Sequence, residues 1–254
     1  MLMSVAELAR EQAIYPELAG ARVLITGVGS TCGVDLVRAF ADHGCRLVLQ
    51  VPDPTPEADA LLGIVAETAL DVRVHHDPVL QASEAIRFAQ TAAKTFGGLD
   101  AVVNLISIER ADIAGLGTLE EIEDMLSVRL QAAARATHVS ANRMGLVWSN
   151  GSVLNVLRMP APKTASEAAI TGIARTALAA MTRQEAQRWA EQGIRINAIA
   201  PTVVGGAAAR LYDERIRTEP EIAAVALYLA SNEGAQLTGH ILDFDTAAFE
   251  ATSR

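Results

Sequence analysis

One set of residues in this chain has the types and spacing to do chemistry, and a second set of cationic and hydroxyl side chains accompanies it. The first is the run Thr26-Gly-Val-Gly-Ser-Thr-Cys-Gly33, in which Gly27, Gly29, Thr31 and Gly33 are candidate ligand-binding positions. It follows the β-like run Arg22-Val-Leu-Ile-Thr26 and precedes a helical pattern with Val34, Val37, Phe40 and Ala41 inward. A glycine-rich turn between strand and helix lets backbone N–H groups meet a pyrophosphate at a helix N-terminus. The second set is Arg129, Arg158, Thr171 and Arg175. Arg129 continues the apolar series Ile122, Met125 and Leu126 at helical spacing, so it should point inward. A guanidinium there needs an acidic partner, water or a bound anion, because an unpaired buried charge costs on the order of several kcal/mol. Thr171 carries an aliphatic hydroxyl, far above the tyrosine pKa of about 10. Arg175 is permanently protonated and cannot relay a proton. Neither is a general acid for neutral pH.

The elements that must hold these residues alternate between short β-like runs and amphipathic helices, the pattern of a parallel sheet covered on both faces. Strands are expected at Arg22–Thr26, Arg46–Gln50, Asp71–His75, Ala101–Leu105, Ser152–Leu157, Arg195–Ala200 and Ile241–Phe244. Capping boxes at Thr118-Leu-Glu-Glu121 and Thr218-Glu-Pro-Glu221 open two of the helices. The helix from about Ser166 carries Ile170, Ile173, Ala174, Ala177, Leu178 and Met181 at helical spacing. The reading is one α/β domain over 17–254, a doubly wound parallel sheet of seven strands with helices on both faces. Residues 1–16 form an N-terminal extension, with a short docking helix around Val5, Leu8 and Ala9.

Composition excludes several classes. With 254 residues and 50% apolar content the chain can bury one sizeable core. A net charge of −9 argues against nucleic acid as the main partner. No apolar run is long enough to cross a membrane, and no signal peptide is read. Cys32 and Cys45 give no disulfide framework, so a reduced, cytoplasmic setting is expected. No metal-ligating set is read.

The stretch Gly151-Ser-Val-Leu-Asn-Val-Leu-Arg158, then Thr171, Arg175 and Ile194-Arg-Ile-Asn-Ala-Ile-Ala-Pro201, resembles the second half of a short-chain dehydrogenase/reductase, of the 3-oxoacyl-ACP reductase-like kind. The resemblance spans about residues 18–248 and implies a Rossmann-type fold and an NAD(P)-dependent oxidoreductase. In that family a serine, a tyrosine, a lysine and an asparagine carry proton transfer and orient the carbonyl. Laid on without gaps, the family pattern puts Arg158 at the serine, Thr171 at the tyrosine, Arg175 at the lysine and Arg129 at the asparagine. Thr31 replaces the middle glycine of the family's Thr-Gly-x-x-x-Gly-x-Gly. Asp77 matches the aspartate that contacts adenine, and Asn104 opens the motif after the fourth strand, here Asn104-Leu-Ile-Ser107. The leucine and isoleucine push bulk toward the adenosine position. The Val204–Thr218 segment is shorter than the family's lid.

The resemblance therefore implies a homologue without an intact catalytic set, binding NAD or NADP weakly or not at all. Its alternatives are an active oxidoreductase with rearranged chemistry and a structural subunit pairing with an active relative. Arg129, Arg158 and Arg175 occupy family positions that converge beside the nicotinamide, which suggests a pocket for a small anion or other small ligand. The small residues around the 166–192 helix, with the 118–142 helix, suggest a homo-oligomer, a dimer or a homotetramer.

Overall fold

Strand interiors are apolar on both faces because helices cover both faces. The computed structural model describes residues 14–29, 32–53, 55–79, 81–202 and 216–246. Its strands are β1 (Arg22–Thr26), β2 (Arg46–Gln50), β3 (Asp71–His75), β4 (Ala101–Ser107), β5 (Ser152–Arg158), β6 (Arg195–Pro201) and β7 (Ile241–Phe244). They form one seven-stranded sheet in the order β3-β2-β1-β4-β5-β6-β7, with each neighbouring pair parallel. The strand order reverses direction between β1 and β4, the point at which open α/β sheets bind ligands.

The helices are α1 (Val34–Asp42), α2 (Pro56–Thr68), α3 (Ala82–Thr95), α4 (Arg110–Ile113), α5 (Leu119–Leu146), α6 (Ala165–Trp189) and α7 (Glu219–Ala230). Helices α1, α2 and α7 pack on one face around Phe40, Leu47, Leu49, Ile222 and Phe244. Helices α5 and α6 cover the other face through Leu126, Leu130, Leu157, Ile170 and Leu178. The boxes at Thr118 and Thr218 form as expected, each threonine accepting from the N–H of the glutamate three residues on. The short helix α4 was not anticipated, and β4 runs two residues further than expected. Both differences matter at the site.

The N-terminal edge of the sheet is tied by Arg22 and Asp100. The Arg22 Nε donates to Asp100 Oδ2 at 2.8 Å, and its Nη2 to Oδ1 at 2.6 Å. Burial pushes the Asp100 carboxyl up, but hydrogen bonds from Arg22 and Ser149 outweigh it and hold the group below its ordinary value. The docking helix expected in the N-terminal extension lies outside the described residues. From the end of that extension, Tyr15 packs against the core and its ring stacks on His43. Among the described residues no helix is long and apolar enough to cross a membrane.

Candidate functional site

The carboxyl ends of the strands open onto a cleft of about 600 Å³ at the β1/β4 switch point. Its walls come from the turn after β1, the segments after β2 and β3, the end of β4 and one face of α5. Thr26, Gly27, Gln50, Asp53, Asn104 and Arg129 are among the residues that line it.

The glycine turn is tight, with Gly29 N donating to Cys32 O at 2.9 Å. Gly27 and Gly33 need their glycines, with φ of 74° and 86°. The chain also approaches closely at both. A Cβ at Gly27 would run into the Leu105 carbonyl oxygen, and one at Gly33 would meet Leu105 Cδ1 at 2.6 Å. Gly27 N donates to Gln50 Oε1 at 2.7 Å, while Gln50 Nε2 donates to Asp77 O at 3.2 Å. The turn's first N–H and the residue after β3 are thus joined by a side chain at the end of β2. Thr31 lies outside the described residues.

Asn104 is committed to an internal ladder. Thr26 Oγ1 donates to Asn104 Oδ1 at 3.2 Å. Asn104 Nδ2 donates to Asn155 Oδ1 at 2.9 Å and to Thr137 Oγ1 at 3.2 Å. Strand register places Thr26, Asn104 and Asn155 side by side, with Thr137 of α5 laid across them. This ladder is buried, so each satisfied bond fixes the registry of β1, β4 and β5.

The four positions Arg129, Arg158, Thr171 and Arg175 have separate surroundings, and of these Arg129 lines the cleft. Arg129 Nη2 pairs with Asp112 on α4. Arg175 Nη2 pairs with Asp243 Oδ1 at 2.7 Å, and its Nη1 donates to the carbonyls of Ala200 and Pro201. Arg158, at the end of β5, lines the same small pocket as Cys32 and Glu219 and acts electrostatically on both. Arg129 and Arg175 thus each pair with a carboxylate of their own, Asp112 and Asp243, in place of the common anion expected between them. Glu167, close by on α6, pairs with Arg110 at 3.2 Å. Thr171 is buried, and its Oγ1 donates to Glu167 O, one turn back on its own helix, at 2.9 Å. Helix α6 carries no tyrosine and no lysine.

Sequence reasoning missed Glu219, the first residue of α7. Together with Cys32, Gly33, Leu36, Leu105, Arg158 and Ile222 it lines a small pocket of about 10 Å³ in front of α1. Burial pushes the Glu219 carboxyl above its ordinary value, against the pull of Arg158 and of the N–H groups of Gly33 and Asp35. Burial likewise raises the Cys32 thiol, with Arg158 and Ser107 opposing it. Asp112 was missed because α4 was not anticipated, although Glu109 and Asp112 have capping-box spacing.

The family model described as Enoyl-(Acyl carrier protein) reductase matches residues 27–246. The chain belongs to the short-chain dehydrogenase/reductase family. It is 29% identical over 246 residues to an uncharacterized oxidoreductase of Mycobacterium bovis, covering 89% of this chain and 96% of the relative. It is 29% identical over 253 residues to the galactitol 2-dehydrogenase (L-tagatose-forming) of Cereibacter sphaeroides, covering 90% of this chain and 94% of the relative. A short-chain dehydrogenase from Burkholderia cenocepacia, solved in complex with NADP, superposes with a TM-score of 0.71 at 21% identity. That match covers 91% of this chain and 98% of the other, and agrees with the Rossmann-type sheet. The family supplies oxidoreductases that use a nicotinamide dinucleotide, and the residues here fit such a group unevenly. At the pyrophosphate position, Gln50 takes the Gly27 N–H, Leu105 covers Gly27 and Gly33, and Glu219 stands before α1.

Proposed function

We propose that this short-chain dehydrogenase/reductase homologue does not transfer hydride by the family's proton relay. Its cleft holds an adenosine-bearing or other small ligand weakly, and its biological work depends on assembly. The observation that carries this reading is Thr171, whose hydroxyl donates to Glu167 O on a helix without tyrosine or lysine. A general acid needs a pKa near the operating pH, and no side chain at this place has one. Arg175 is held by Asp243 and two carbonyls, so it is neither free to move a proton nor able to. Dinucleotide binding, if NAD or NADP is the ligand, is weak because the pyrophosphate position is crowded by the chain's own side chains.

The assembly we favour is a homo-oligomer through α5 and α6, a dimer or a tetramer. Small residues of α6, among them Ala169, Ala177 and Ala180, are exposed in the single chain and permit close helix packing. A second reading is an active oxidoreductase with rearranged chemistry, and the open cleft and the dehydrogenase relatives favour it. One assay separates the two. NADH and NADPH are titrated by fluorescence, then incubated with the protein and a panel of ketones and polyols. No turnover above the protein-free rate is expected, and sustained oxidation or reduction would overturn the first reading in favour of the second.

A further inference from the structure

The N-terminus of α1 lacks a capping side chain from its own segment, because its N-cap residue is Gly33. In this fold such a terminus offers N–H groups and a positive dipole end to a phosphate. Here Glu219, arriving from the start of α7, fills that place. It borders a void of about 10 Å³, scarcely the space one water needs. Its Oε1 is fully enclosed and has no hydrogen-bond donor. Arg158 from β5 acts on it favourably, Asp35 of α1 acts unfavourably, and the Cys32 thiol of the turn lies beside it.

We propose that Glu219 is an internal anion that occupies the phosphate position before α1 and so inhibits binding of phosphate-bearing ligands. The proposal rests on the reading of a weakly binding cleft and gives that weakness a cause. A phosphate and an ionised Glu219 cannot share the space, by volume or by charge. When Glu219 swings out or is neutralised, the N–H groups of Gly33 and Asp35 and the Arg158 guanidinium become a site for the phosphate of an adenosine nucleotide. Arg158 is the specificity-determining member, since a cation beside a helix N-terminus selects an anion over the neutral nucleoside. Burial already biases the Glu219 carboxyl toward its neutral form, so acidification acts in the same direction as its removal.

The probes are adenosine 5′-diphosphate and adenosine, titrated calorimetrically against the native chain, Glu219→Ala, Glu219→Gln and the double variant Glu219→Ala/Arg158→Ala. At pH 8 the diphosphate should bind Glu219→Ala at least tenfold tighter than the native chain, with adenosine unchanged. The double variant should lose that gain. Lowering the pH to 5.5 should narrow the ratio between native chain and variant. Glu219→Gln keeps the side chain's size and safeguards the test should the alanine variant fold poorly; it should show a smaller gain in the same direction. A diphosphate affinity within twofold of native for both single variants, or no binding by any of them, overturns the proposal. Equal tightening for adenosine would show that mere space was gained, and overturns it too. None of these outcomes depends on redox turnover, so the absence of a proton relay stands or falls separately.

Discussion

The backbone N–H of Gly27 donates to the Gln50 side chain at 2.7 Å, across the gap between β1 and β2. Gln50 is almost fully buried, and it also donates to Asp77 O. One amide thus satisfies groups on two connections that would otherwise face a ligand. Replacing Gln50 with Leu leaves the Gly27 N–H and the Asp77 carbonyl without these partners, a loss of about 1–3 kcal/mol. Urea unfolding of Gln50→Leu against the native chain measures it. A midpoint within error of native would mean that the amide contributes nothing.

Leu105 and Gly33 make the complementary case. Gly33→Ala should cost about 1–3 kcal/mol from backbone strain alone, with the Leu105 contact added to it. Leu105→Ala on its own should cost about 2–5 kcal/mol as a large-to-small core change. Because the clash disappears once Leu105 is shortened, the double variant should be more stable than the sum of the two losses implies. Strict additivity in a denaturation cycle would show that the two residues do not press on each other.

The sheet and its main helices were legible because short β-like runs, most of them apolar, alternate with segments of helical period. β1, β2, β3 and β7 match their expected bounds. The site was less legible, for a physical reason. Arg129 was recognisable as an inward cation, but its partner Asp112 sits on a four-residue helix with too few apolar positions to register as periodic. Arg175 finds Asp243 from the far end of the chain, and Arg158 comes to line a small pocket with Glu219, also distant in sequence. Such pairings are set by which strands become neighbours, and local patterning does not contain them. The bulk at Leu105 was readable, whereas its position over two glycines was not.

Restoring the family's residues at two positions should not restore its chemistry. Thr171→Tyr with Arg175→Lys leaves Arg158, Arg129 and the crowded phosphate position as they are. Lysine at 175 also loses the planar fork that now spans Asp243 and the carbonyls of Ala200 and Pro201. The expected result is no ketone reduction above the protein-free rate with either NADH or NADPH. Measurable turnover by the double variant would show that the remaining differences do not block the reaction.

Two carboxylates should move stability with pH in opposite directions. Asp100 is held below its ordinary value of 3.8, so its contribution is present above that pH and is lost as the pH falls through its lower folded value. Glu219 is raised above its ordinary value of 4.5. Its neutral form is favoured in the fold, so stability is greatest below that pH and declines as the pH rises through the folded value. Thermal melts from pH 3 to 8 should show Glu219→Gln above native at neutral pH and converging with it in acid. Asp100→Asn should lie below native at neutral pH and converge in strong acid. A Glu219→Gln curve parallel to native throughout would contradict a raised carboxyl.

The last expectation concerns assembly. Helix α6 buries Ile170, Ala174, Leu178 and Ala186 against the sheet side while leaving Ala169, Ala177 and Ala180 exposed. On α5, Val128 stays 59% exposed and Leu119 61%. A helix meant for solvent would carry charge at such positions, whereas small and apolar residues suit a twofold contact in which backbones approach closely. Light scattering at micromolar concentration should therefore give at least twice the chain mass of 26.8 kDa. Ala180→Arg puts a large charged side chain on the exposed face of α6 without touching the core, and should shift the mass toward the monomer. A native mass near 27 kDa would remove the oligomer. An Ala180→Arg variant that keeps the native multimer, with an unchanged melting temperature, would place the interface elsewhere on the fold.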